Sequence, residues 1–155
     1  MALIYPYRTK VGKPRCKLFL HKWNVFFSKK KKTICRHYAA SKNRIEIVKL
    51  LLEHKAQPNV ANNIKQTPLH RAAVQGYTAV VRMLLEAKCR VNPKDSEGNT
   101  PMHLACEENH GDTAILLLQN GANEDQLNTD GKSPLDVCRT KELRQFLDKH
   151  IQDNA

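Results

Sequence analysis

One interval governs this chain: Thr67-Pro68-Leu69-His70 recurs as Thr100-Pro101-Met102-His103 and as Ser133-Pro134-Leu135-Asp136, each step 33 residues long. The same interval links His37 to His70 and His103, Ala39-Ala40 to Ala72-Ala73 and Ala105-Cys106, Leu51-Leu52 to Leu84-Leu85 and Leu117-Leu118, and Asn62 to Asp95 and Asn128. A period of this size means a row of similar units, none able to bury its apolar face alone and each covered by its neighbour. The fold is therefore expected to be a solenoid.

Each unit decodes in the same order. Thr or Ser before Pro supplies an N-cap with Pro at the first helical position, so a short helix follows. A second segment, such as residues 45–54, carries Ile47, Val48, Leu51 and Leu52 at the spacing of an amphipathic helix. The two make a helical hairpin. The polar stretches 57–66, 90–99 and 123–132 then suit a projecting loop or short hairpin, and no long strand pattern appears. The first helix carries alanines and the second leucines, so neighbouring first helices approach closely and the stack curves. The concave side, made of first helices and loops, is the expected binding face. Lys55 and Lys88 stand where Gly121 ends a second helix, a position that usually needs positive φ.

The motif T-P-L-H-x-A at this period resembles the ankyrin repeat and covers about four-fifths of the chain. Within that family, residues 37–44 (His37-Tyr38-Ala39-Ala40-Ser41-Lys42-Asn43-Arg44), His70-Arg71-Ala72-Ala73 and residues 97–108 are similar to the last four of the seven repeats of the gankyrin group. The resemblance implies an all-α solenoid of helical hairpins with short projecting β-turn loops. Its divisions are a partial repeat at 34–66, repeats at 67–99 and 100–132, and a C-terminal cap at 133–151, preceded by a poorly ordered basic segment, residues 1–33. It also implies a non-enzymatic module that binds the C-terminal domain of a proteasomal ATPase through its concave face, as an assembly chaperone in cytoplasm and nucleus. Nothing before His37 matches the repeat, since Ile34-Cys35-Arg36 stands where Thr-Pro-Leu is expected, and the first three repeats of that group are expected to be absent.

The net charge of +11 is confined to one end. Residues 1–33 hold ten Lys and Arg and no acid, whereas residues 34–155 hold sixteen basic and fifteen acidic side chains. The repeats themselves thus have no general bias toward phosphate. The basic segment also holds Tyr5, Tyr7, Phe19, Trp23, Phe26, Phe27 and the run Lys29 to Lys32, a composition that allows nucleic-acid stacking or a nuclear-import signal. Disorder, or a segment foreign to the repeats, is the preferred expectation, and nucleic acid is not the expected partner. The alternatives to a gankyrin-type role are a general ankyrin adaptor, a nuclear protein acting through the basic tail, or a truncated product without function. Five widely spaced cysteines without a C-x-x-C pair read as reduced intracellular thiols. No run approaches the roughly 20 apolar residues of a membrane span, and neither a secretory signal nor a membrane partner is expected.

Three arrangements invite chemistry. His103, Cys106 and His110 fall on one helical face and could be taken for metal ligands, but two of them occupy repeat slots, so neither a metal nor another cofactor is expected. Leu104, Cys106 and Glu108 form L-x-C-x-E, which an extended peptide would present on one side and a helix would not. No nucleophile, base and phosphate loop come together, so no enzyme and no small-molecule substrate are expected.

Framework positions repeat, so specificity is expected where first-helix residues change from unit to unit. Those are Tyr38, Ser41 and Lys42; Arg71, Val74 and Gln75; Leu104, Glu107 and Glu108. Arg44 joins them because it falls, with Lys42, in the stretch most similar to the gankyrin group. The surface so defined is basic near the first unit and acidic near the third, which favours a protein partner of mixed charge bound by a monomer.

Overall fold

The computed structural model describes residues 37–53 and 56–153. The expectations placed on residues 1–33 and on Lys55 lie outside them. Among the described residues the chain is all helical, with no strand. A helical turn at residues 37–41 pairs with α1 (Ile45–Glu53), α2 (Pro68–Val74) with α3 (Thr78–Glu86), and α4 (Pro101–Glu107) with α5 (Gly111–Gln119), before the terminal α6 (Lys141–Asp153). The short first helices α2 and α4 pack on each other, α3 packs against both α1 and α5, and α6 closes over α5. The core runs unbroken through the units, from Ala39, Ala40, Val48 and Leu51 to Leu117, Leu143 and Leu147.

The T-P-x-H motif works as a local device. In α2 the backbone N–H and hydroxyl of Thr67 both lie 3.0 Å from His70 Nδ1; in α4 the corresponding Thr100 distances to His103 Nδ1 are 3.2 and 2.8 Å. A backbone N–H can only donate, so Nδ1 is the acceptor and Nε2 carries the proton. That Nε2–H donates to the carbonyl just before the next unit's cap: His70 to Asn99 O and His103 to Lys132 O, both 3.1 Å, and His37 to Gln66 O at 2.6 Å. Histidine here does the work that Glu or Gln does in a capping box, while its second nitrogen joins one unit to the next. Burial pushes His70 and His103 below the ordinary histidine pKa, because a charged ring would have to be desolvated.

The loops repeat equally closely. Oδ1 of Asn62 accepts from the N–H groups of Ile64 and Gln66, that of Asp95 from Glu97 and Asn99, and that of Asn128 from Asp130 and Lys132, all at 2.9 to 3.0 Å. Asn and Asp alternate in this slot because the turn needs one acceptor oxygen, whatever its charge. Adjacent loops are tied by Ser96 N–H to Ile64 O at 3.1 Å and Thr129 N–H to Glu97 O at 3.0 Å. Gly98, at φ +74°, sits in this junction, and a Cβ there would lie 2.9 Å from the Thr129 nitrogen.

The fourth unit departs from expectation. Ser133-Pro134 is followed by turns over residues 134–137 in place of a helix. Asp136 stands where the other units have histidine, and its Oδ2 accepts from the Ser133 hydroxyl at 2.7 Å and backbone N–H at 3.1 Å. The acid closes the cap but has no N–H with which to reach the backbone beyond it, as the histidines do. The terminal helix runs to Asp153, beyond the expected limit at 151.

Candidate protein-binding face

The short helices bring most of the expected residues to the surface. Tyr38, Lys42, Arg44, Gln75, Glu107 and Glu108 are exposed, and Arg71 and Val74 are partly so. Two expectations are corrected. Ser41 is buried, with its hydroxyl turned back 3.1 Å onto the carbonyl of Tyr38, as short hydroxyl side chains do on a helix. Leu104 is only 8% exposed. It shares a slot with Tyr38 and Arg71, whose polar ends hold them at the surface, whereas a leucine is stabilised by leaving water. Neither Ser41 nor Leu104 can present its side chain to a partner without rearrangement.

The remaining residues form two charged patches. Lys42 and Arg44, with Arg71 beyond them, make the basic end; Glu107 and Glu108 make the acidic end. Lys42 and Glu108 hold the same slot two units apart, which at a helix-packing distance of about 10 Å per unit separates them by roughly 20 Å. Screening in physiological salt acts over about 8 Å, so the patches do not neutralise each other. Glu108 lies 3.9 Å from Arg139, but both side chains are largely in water, so the pair holds the carboxylate only weakly.

Position on the loops adds residues that helix-based reasoning passes over. Ile64 and Leu127 are about half exposed, on the first and third loops. Ile64 breaks a polar pattern at its slot, where the other units have Glu97 and Asp130, and Leu127 is the one large apolar residue in a slot shared with Ala61 and Lys94. That mismatch was the available signal.

The residues that could be taken for metal ligands have other partners. Both ring nitrogens of His103 are engaged with Thr100 and Lys132, His110 Nε2 donates to Val74 O at 3.1 Å, and Cys106 is fully buried. Among the described residues no three His, Cys, Asp or Glu side chains are grouped to hold a metal ion. In L-x-C-x-E, Leu104 and Cys106 face inward while Glu108 caps α4 in solvent, so reading the motif as a peptide would require that helix to melt. No helix among the described residues is long and apolar enough to cross a membrane.

A row of helical hairpins joined through histidine and loop hydrogen bonds, with exposed residues that vary along the first helices, defines a repeat module for binding other proteins. Comparison with known families bears on this directly: a model of ankyrin repeats in three copies matches residues 9–95, and one of ankyrin repeats in many copies matches residues 84–138. The chain belongs to the ankyrin-repeat family, whose repeats are protein–protein interaction modules. The first match begins ahead of residue 34, where the repeats were expected to start, and its residues 9–36 lie outside the described residues. No curated protein matches the chain.

Proposed function

We propose that this chain is a monomeric adaptor that binds one protein partner across its concave face. Lys42 and Arg44 meet acidic groups at one end of that partner, and Glu107 and Glu108 meet basic groups at the other. The observation that carries this reading is the separation of two exposed, oppositely charged patches on a scaffold whose framework positions repeat. A helix spanning the roughly 20 Å between them needs about 13 residues at 1.5 Å per residue, well within a small folded domain.

The finer reading is that the partner is the C-terminal domain of a proteasomal ATPase and that the chain acts as an assembly chaperone in cytoplasm and nucleus. Its support is the similarity of residues 37–44, 70–73 and 97–108 to the gankyrin group. Affinity capture from cell extract, followed by calorimetric titration of the captured protein and of the ATPase domain, tests both levels. Saturable one-to-one binding of the ATPase domain supports the finer reading. Binding of a different protein, abolished by charge reversal at the two patches, supports only the adaptor, and capture indifferent to those reversals refutes both.

A further inference from the structure

First helices of successive units meet through small residues, and in the second and third units Ala72, Ala73, Ala105 and Cys106 are fully buried. Cysteine interrupts this alanine pattern twice. Cys106 takes the slot of Ala40 and Ala73, and Cys138 takes the slot of Ala39, Ala72 and Ala105 in the next unit. The two therefore face each other across the junction between the third unit and the terminal one. The backbone holds them there, because Arg139 N–H donates to Cys106 O at 3.5 Å and so docks the residue after Cys138 onto Cys106. With standard backbone dimensions such a bond keeps the two Cα atoms within about 8 Å, a range that includes the roughly 4.4 to 6.8 Å a disulfide spans.

Their environments differ in the way a reactive pair requires. Cys138 is partly exposed and packs against the core, its Sγ lying 3.6 Å from Pro134 O, while Cys106 is sealed from solvent; both are free thiols. The closeness of the two thiols pushes Cys106 up and Cys138 down from the ordinary cysteine pKa, with burial adding to the rise at Cys106.

We propose that Cys138 and Cys106 form an oxidation site of the two-cysteine type, in which a peroxide oxidises Cys138 and Cys106 resolves the product into a disulfide. In the first step the Cys138 thiolate attacks one oxygen of hydrogen peroxide. The O–O bond breaks, the sulfur is oxidised by two electrons to the sulfenic acid, and the departing hydroxide takes up a proton to become water. In the second step the sulfur of Cys106 attacks that of Cys138. The S–O bond breaks, the oxygen leaves as water with the proton of Cys106, and the S–S bond closes. A dithiol reductant returns both thiols. The bridge staples the third unit to the terminal one, beneath the end of the concave face that carries Glu107 and Glu108.

The test uses the intact chain, folded at neutral pH and treated with hydrogen peroxide in the presence of dimedone, which traps sulfenic acids, followed by peptide mapping. Cys106→Ala and Cys138→Ala place in each slot the residue that other units already carry, and circular dichroism establishes that they fold. The expected result is a peptide linked through Cys106 and Cys138 in the natural chain, lighter by two hydrogens and released by dithiothreitol. C106A should instead accumulate the dimedone adduct at Cys138, and C138A should leave the buried Cys106 unmodified. Cys89, which burial pushes up to about 11, should react more slowly than Cys138. Absence of the linked peptide in the folded natural chain overturns the proposal, whether or not the variants fold. So does trapping of Cys138 to the same extent in the natural chain and in C106A.

Discussion

Replacing Lys88 by glycine should make the protein more stable, although the change removes every side-chain contact at that position. Lys88 has φ +58° and Lys65 φ +57°, and the same slots in other units hold Gly121 at φ +87° and, for Lys65, Gly98 at +74° and Gly131 at +71°. An L residue in this region costs about 1 to 2 kcal/mol, from the clash of Cβ with the following carbonyl. Glycine relieves that cost and forfeits part of the gain through greater freedom of the unfolded chain. The net expected is about 0.5 to 1 kcal/mol for each of Lys65→Gly and Lys88→Gly. Both side chains are exposed, and the backbone bonds of these residues, Lys88 N–H to Leu85 O at 2.9 Å and Lys65 N–H to Asn62 O at 3.0 Å, remain available to glycine. With a urea slope of about 2 kcal/mol/M, each midpoint should rise by about 0.25 to 0.5 M, and the double variant should show the sum because the sites share no partner. Asn43 at φ +50° and Asn109 at φ +63° supply the control. Asparagine tolerates this geometry, so glycine there should gain only a few tenths of a kcal/mol at most. Unchanged or lowered midpoints for both lysine variants, or equal gains at lysine and asparagine sites, would refute the reasoning.

Gly98→Ala should lower stability by about 2 to 4 kcal/mol in the same assay, since it combines positive φ with a Cβ pressed against the backbone of the next loop; a loss below 0.5 kcal/mol would show that the junction yields. Acid should weaken the fold through His70 and His103: their folded pKa values lie below the unfolded value near 6.5, so the unfolded chain binds more protons. Urea midpoints should therefore hold above that pH and fall from about 6.5 downward, and His70→Gln should make the fall shallower; midpoints flat from pH 7.5 to 5 would contradict the assignment of neutral rings. Hydrogen exchange should find amides of residues 37–53 protected about tenfold less than those of 100–119, because Ile34-Cys35-Arg36 offers His37 no Thr-Pro cap; equal protection would mean that the missing cap is compensated.

The repeat register made the fold legible because every slot is a physical requirement that recurs. Thr-Pro sets a helix start, the histidine ties two units, and the alanines let first helices touch. Gly121 also pointed to a left-handed residue at Lys88. The same register carries the corresponding signal at Asn43, which shares its slot with Gly76, and at Lys65, which shares its slot with Gly98 and Gly131. The turn after Ser133, by contrast, was hidden. A Ser-Pro-Leu-Asp start looks like the others until Asp136 fails to bridge onward. Within the binding face, Tyr38, Lys42 and Glu107 were readable from their variable slots, but periodicity alone does not say how deeply a slot is sunk. Leu104 is covered where Tyr38, at the same position, is 58% exposed.

The claim that binding belongs to the repeat surface, and not to the basic segment, rests most directly on one calorimetric comparison. The natural chain, a Lys42→Glu/Arg44→Glu variant and a variant with Lys29 to Lys32 changed to glutamine are titrated with the same partner, beginning with the proteasomal ATPase domain. Loss of one charge-assisted bond, at either residue, should cost about 1 to 3 kcal/mol. The reversal should therefore weaken binding by about 5- to 150-fold, while the glutamine variant binds with nearly the affinity of the natural chain. Loss of binding on neutralising the lysine run, with the reversal at Lys42 and Arg44 without effect, would assign the interaction to the basic segment and contradict the concave-face account.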